Sequence, residues 1–188
     1  LNRNFRNEGL DRAHNPEFTM LEIYEAYSDV RGMKKLIKEM IVHVAETVFG
    51  GLKSKQGENI IDLSGDWKEI TYHDLVKQKM GDDWYKLSLE DARKKAEALG
   101  LALEHNWDML MISHEIYEKL IEKTLVNPTF VTRLPSSLVP LAKPCEDDAS
   151  DAVVFELVIG GIEIAPAYTE MNDPIEQRKR LAERAGKN

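Results

Sequence analysis

Cysteine is nearly missing from this chain. Cys145 is the only one in 188 residues, which excludes an intramolecular disulfide and a cysteine-built metal centre. Pro144 and Glu146 flank it and only Lys143 nearby is cationic, so nothing local activates it as a nucleophile. Long apolar runs are missing too. No stretch approaches the ~20 residues of a membrane span, and no basic-then-apolar leader opens the sequence. Positive charge is in deficit: Lys and Arg number 25 against 33 Asp and Glu, a formal net charge of -8. Modules dedicated to nucleic acid usually carry a basic patch, whereas Lys34, Lys35 and Lys38 read as one solvated helix face. These absences point to a cytoplasmic globular protein. What is present supports that, with 43% hydrophobic and 31% charged residues, enough for one domain with a sizeable core.

Hydrophobic spacing divides the chain. Ser28 or Asp29 caps a helix whose apolar positions Met33, Leu36, Ile37, Met40, Ile41, Val44, Ala45 and Val48 recur at helical spacing as far as Phe49. Gly50-Gly51 ends it. Residues 52–68 are turn-rich, with a short strand expected at Ile60, Ile61 and Leu63. Thr71, three residues before Asp74, starts a short helix that Gly81 stops. Ser88, with Glu90 and Asp91 following, starts another that ends at Gly100. A helix is expected over 107–125, with Met109, Met111 and His114 at core or boundary positions. Residues 58–105 thus read as a small helical insertion between two parts of a sheet. Strands return at 128–132, an acidic loop follows at 145–151, and Asp173-Pro174 opens a last helix to about Arg184.

Residues 153–159, then Gly160-Gly161, then residues 162–165 form a hairpin signal, the Gly-Gly pair fitting a primed turn. Counting outward pairs Ile159 with Ile162, Val158 with Glu163 and Glu156 with Ala165. Glu156 and Glu163 then share a face on a diagonal. Two acids so placed repel unless a cation joins them, and Mg2+ takes carboxylates together with phosphates and water. The same spacing also describes two acids on the wet face of an antiparallel sheet. Spacing alone leaves both open.

The first two dozen residues carry a denser pattern. Arg6 and Glu8 stand two apart, as do Glu22 and Tyr24, and residues two apart in a strand share a face. A polar run from Gly9 to Pro16 between them reads as a loop. Strand, loop, strand with both signs of charge suits a solvated edge hairpin as well as a binding surface. The residues Phe5-Arg6-Asn7-Glu8-Gly9, then His14-Asn15-Pro16-Glu17-Phe18-Thr19-Met20 with Glu22 and Tyr24, resemble motif 2 of the class II aminoacyl-tRNA synthetases in the form used by the lysyl-tRNA synthetase family. The likeness continues at Asn127-Pro128-Thr129-Phe130, at Pro140-Leu141-Ala142-Lys143, and from Phe155-Glu156-Leu157 through Asn172-Asp173-Pro174.

The resemblance implies an α+β fold: a mainly antiparallel sheet with flanking helices and a helical insertion. It implies a ligase that joins lysine to tRNA(Lys) through a lysyl-adenylate, using ATP and Mg2+, as a homodimer. At the matching positions Arg6 is the catalytic residue, bridging the ATP α-phosphate and the lysine carboxylate. Glu8 accepts from the adenine amino group, Phe18 stacks on adenine, and His14 and Asn15 approach the phosphate tail or adenine. Glu156 and Glu163 hold metal ions on the ATP phosphates. Glu22 binds the lysine α-amino group. Glu170 meets the ε-ammonium beside Tyr24, and Tyr168 lines that slot.

Two departures matter. Pro166 stands where the family usually has Asn, an amide that would help hold the substrate carboxylate. Strict alternation also puts Tyr168 and Glu170 on the face opposite Glu163. Both sets reach one pocket only if the strand bulges, and Pro166 suits a bulge. Motif 1, motif 3 and an anticodon-binding barrel are not found among these residues. The expectation is therefore a piece of a catalytic domain, weak or inactive alone. Two rivals are a lysyl-adenylate enzyme that modifies elongation factor P and a non-catalytic synthetase-like module.

Overall fold

The computed structural model describes residues 1–7, 9, 10 and 14–185, with side chains in the last helix described to residue 182. Asn2–Phe5 (β1) and Glu17–Met20 (β2) pair near the N-terminus, and Lys53–Gln56 (β3) and Asn59–Asp62 (β4) make a second hairpin. The strands Lys68–Thr71 (β5), Thr129–Thr132 (β6), Val154–Ile159 (β7) and Ile162–Tyr168 (β8) form one sheet in that order. β5 runs parallel to β6, and the other pairings are antiparallel. The helices are Val30–Val44 (α1), Tyr72–Met80 (α2), Leu89–Glu97 (α3), Met109–Ile116 (α4) and Pro174–Ala185 (α5). This is the α+β arrangement expected, with antiparallel pairing dominant.

Local chemistry starts each helix. Asp29 caps α1 by accepting from the Arg31 and Gly32 N–H groups at 2.8 and 3.1 Å. Thr71 ends β5 and at once caps α2, accepting from the Asp74 N–H at 3.0 Å. Ser88 and Asp108 do the same for α3 and α4. Such caps satisfy backbone donors that the first turn leaves orphaned. Asp29→Ala is expected to lower stability by about 1 kcal/mol in urea denaturation, whereas an unchanged midpoint would mean that α1 is held by its packing alone.

The four-stranded sheet is buried on two sides. Phe130, Phe155 and Leu157 meet α1 through Val30, Met33, Ile37 and Ile41. The opposite face carries Val131, Val154 and Val158 against Tyr72 and Val76 of α2 and Ile112 and Ile116 of α4. Trp84, fully buried, closes this second core and donates from Nε1 to Ser113 Oγ at 2.9 Å. The segment 58–105 supplies β5, α2 and Trp84 to the same core.

Three features differ from the sequence reading. β3 has the sequence Lys-Ser-Lys-Gln and is exposed throughout, so no apolar alternation marks it. β5 is four residues long and runs straight into a helix cap. The helix expected over 107–125 breaks into α4, a wide π turn at Tyr117–Ile121 and a 3-10 turn at Glu122–Thr124. Tyr117, Ile121 and Leu125 are all buried, and the change of winding brings each to the core.

Candidate active site

The β7–β8 hairpin begins as its sequence requires and then departs from it. Ile159 pairs with Ile162 and Val158 with Glu163, but Leu157 pairs with Ala165 and Glu156 with Pro166. The expected partner of Glu156 was Ala165. Ile164 is the extra residue, a bulge that shifts every later rung by one. It lies two residues before the proline that was thought to favour it. Its consequence is a change of face: Pro166 and Tyr168 now lie on the side of Glu156, Val158 and Glu163. Pro166 itself sits in an edge strand, where a missing N–H is tolerated.

Glu156 lies between Val154 and Val158 on the face that the helix layer covers. Burial, then the neighbouring charges of Glu163 and Glu122, push its carboxyl up to about 8. Burial raises Glu163 as well, and burial followed by Glu163 and Glu118 raises Glu122. Tyr117 reaches in from the π turn, its hydroxyl 3.4 Å from Glu156 Oε2. The Gly-Gly turn docks against the same segment. Gly160 and Gly161 donate to the Val126 and Leu125 carbonyls at 2.8 and 3.0 Å. A Cβ on Gly161 would meet the Lys123 backbone at 2.8 Å, so the close approach requires glycine there. Among the described residues, no three His, Cys, Asp or Glu side chains gather to hold an ion alone. Two crowded carboxylates that resist ionising together still suit Mg2+, which binds through one or two carboxylates and completes its shell with waters and phosphate oxygens.

A second group of titratable side chains bears on Tyr168. Its phenol is raised by burial, then by Glu170, Tyr24 and Glu22, which places all three within electrostatic reach of the ring. Glu170 is held by backbone pairing with Ala142, beside bonds from the Lys143 N–H to the Thr169 carbonyl at 2.7 Å and from the Met171 N–H to the Leu141 carbonyl at 2.9 Å. The loop 133–153 that supplies this pairing is pinned by Asp151. That buried carboxylate takes Arg133 Nε at 3.0 Å and lies 2.9 Å from His73 Nε2. Arg133 adopts φ 56, an uncommon conformation for a non-glycine residue, and also binds Asp147 at 2.8 Å. Burial raises the Cys145 thiol, in keeping with an inert cysteine.

The N-terminal residues are placed differently from the sequence pattern. The ladder runs from Asn2↔Met20 to Phe5↔Glu17, so Arg6, Glu22 and Tyr24 fall just outside the strands. The Arg6 N–H still donates to the Pro16 carbonyl at 3.0 Å, and its guanidinium lies 5.5 Å from the Phe18 ring centre. A strand needs a partner rung, and among the described residues 21–24 pair with none. Among the described residues the hairpin bonds to no other strand. His14 and Asn15 are exposed on its loop, and Glu8 lies outside the described residues. The structure therefore gathers Glu156 with Glu163, and Tyr168 with Glu170, Glu22 and Tyr24. Arg6, His14, Asn15 and Phe18 stay on the separate hairpin. Tyr117 and Glu122 fall within the helix expected over 107–125, where helical spacing alone does not mark them as neighbours of Glu156. A cavity of about 800 Å³ beside Arg31, Thr71 and Arg133 is lined by none of the expected site residues.

The family model for tRNA synthetases class II (D, K and N) matches residues 1–188. The chain is 41% identical to the lysine–tRNA ligase of Bacillus subtilis (strain 168) over 182 residues, covering 96% of this chain and 36% of that protein. It is 43% identical over 182 residues to the lysine–tRNA ligase of Staphylococcus saprophyticus, with 96% and 37% covered. For the lysine–tRNA ligase of Aquifex aeolicus the identity is 41% over 185 residues, with 97% and 31% covered. The chain thus spans about a third of the length of the curated relatives it matches.

Proposed function

The chain belongs to the class II tRNA synthetases (D, K and N), and from that premise we propose that it is part of a lysine–tRNA ligase catalytic domain, which activates lysine with ATP and passes the lysyl group to tRNA(Lys). The observation that carries the reading is the bulge at Ile164. It sets Tyr168 on the face of Glu156 and Glu163, and the charges of Glu170, Tyr24 and Glu22 bear on its phenol. Acids and phenols around one slot suit a substrate with two ammonium groups. Glu170 and Tyr24 take the ε-ammonium, Glu22 takes the α-ammonium, and Tyr168 walls the slot. A shorter or neutral side chain would leave a carboxylate unpaired, which costs more than a lost contact.

In the reaction a lysine carboxylate oxygen attacks the α-phosphorus of ATP, and the bond to the bridging oxygen of the leaving pyrophosphate breaks. A terminal tRNA hydroxyl then attacks the lysyl carbonyl and AMP departs. Arg6 holds the lysine carboxylate against the α-phosphate and offsets charge that grows at phosphorus. Phe18 stacks on adenine, Glu8 accepts from its amino group, and His14 and Asn15 approach the nucleotide from the loop. Glu156 and Glu163 would hold Mg2+, which when bound neutralises the triphosphate. Positioning and charge neutralisation supply the rate, with no general base needed for the first step. We place this chemistry in the cytoplasm, in a homodimer; no helix among the described residues is long and apolar enough to cross a membrane.

Isothermal titration with a lysyl-sulfamoyl adenosine analogue in Mg2+ tests the reading. Binding is expected, with none to the arginyl counterpart. Glu170→Ala should weaken it by about tenfold or more, the worth of a charge-assisted hydrogen bond. A chain that binds neither lysine, ATP nor the analogue would instead be a non-catalytic module.

A further inference from the structure

The acids of β7 and β8 are assigned above, but the group that contacts Glu156 from behind is not. We infer that Tyr117 is a positioning residue for Glu156: its hydroxyl donates to one carboxylate oxygen and leaves the other to face the strand that carries Glu163. The metal part of this inference rests on the function proposed above; the contact itself does not.

Four observations carry it. The Tyr117 hydroxyl lies 3.4 Å from Glu156 Oε2, and the tyrosine is 2% exposed. The wide turn Tyr117–Ile121 begins at this residue, and single π turns within helices are frequent where a side chain must be re-aimed at a functional site. The segment that follows is tied to the β7–β8 turn by the Gly160 and Gly161 hydrogen bonds, so helix and hairpin move as one piece. Tyr72 packs its ring 5.1 Å from that of Tyr117 and fixes the plane of the phenol.

The contact is long for O–H···O. A carboxylate with one oxygen engaged from behind presents a single, oriented oxygen in front. Outer contacts of this kind hold ligands in place, and losing one typically costs 10- to 100-fold in metal affinity.

The test uses the full chain labelled with carbon-13 at glutamate carboxyls, and Mn2+ as the probe, in the presence of ATP. Tyr117→Phe removes one oxygen and keeps the ring, so folding is retained. It is expected to displace the Glu156 carboxyl resonance and to weaken Mn2+ binding, followed by electron paramagnetic resonance, by about tenfold or more. Tyr72→Phe serves as the control, because the buried Tyr72 hydroxyl has no hydrogen-bond partner among the described residues; Mn2+ affinity should not change. A Tyr117→Phe chain with an unmoved Glu156 resonance and wild-type Mn2+ affinity overturns the inference. A displaced resonance in a chain that never binds Mn2+ upholds the positioning role and removes the metal reading instead.

Discussion

Glu156→Gln makes the metal-free chain more stable at about pH 8, by roughly 4 kcal/mol, and leaves it unchanged near pH 4. The sign follows from the direction of the shift. The folded chain holds the Glu156 proton up to about 8, against an ordinary value of 4.5. Between those values the folded state binds a proton that the unfolded state has released. Stability therefore falls as pH rises through the window, by at most about 1.4 kcal/mol per unit. Below the window both states are protonated and the penalty vanishes. Glutamine keeps the shape, still accepts from Tyr117 and carries no charge, so it escapes the penalty. Urea denaturation at several pH values reads the effect. A variant equal to or weaker than wild type at about pH 8 would show that Glu156 is not forced towards its neutral form. Mg2+ adds the complementary result. It should stabilise the parent chain, because a ligand that binds only the folded state does so by mass action, and it should leave Glu156→Gln unmoved. A cost to stability without the ion and a gain with it would together mark Glu156 as a binding-site residue rather than part of the core.

Asp151→Ala carries the other large effect. Asp151 is 5% exposed and pairs with Arg133 at 3.0 Å and His73 at 2.9 Å. Removing Asp151 takes a charged partner from Arg133, which keeps Asp147, and from His73, both of them partly exposed, and is expected to cost about 2–3 kcal/mol. For a domain of this size that is a drop of roughly 10 °C in melting temperature. The damage should also reach function. The loop anchored by Asp151 supplies Ala142, the backbone partner of Glu170, so lysine affinity should fall although Asp151 touches no ligand. Asp151→Asn, which keeps the shape and one acceptor oxygen, should recover part of the loss. A melting temperature within a few degrees of the parent would place the anchor elsewhere, in the hydrogen bond between the Ala152 N–H and the Leu134 carbonyl at 2.8 Å.

Much of this architecture could be read locally. Asp29, Thr71, Ser88 and the Gly50-Gly51 pair mark helix ends because caps act over three or four residues. The Gly160-Gly161 turn sets the register of its first two rungs for the same reason. Glu156, Glu163, Tyr168 and Glu170 were identified by residue type and order, which family likeness preserves.

The face on which those residues lie was another matter. Strand register follows from alternation of buried and exposed positions, and β8 offers little of it, since Ile162, Ile164 and Tyr168 are all partly exposed and Ala165 and Ala167 are small. Nothing within the strand forbids or demands an extra residue at Ile164. The pairing with β7 decides it, because Phe155 and Leu157 must stay under α1 while Val154 and Val158 stay under α2 and α4. The burial of Glu156 is likewise invisible in its own strand, where an acid between valines could face water. It is half-buried because a helix layer from residues far away in sequence covers that face and brings Tyr117 with it. The sequence by itself determined the family likeness, with the candidate residues that likeness nominates, and where the helices begin. Tertiary structure alone decided which side chains share a face and which charges are removed from water, because both depend on surfaces meeting across the chain rather than along it.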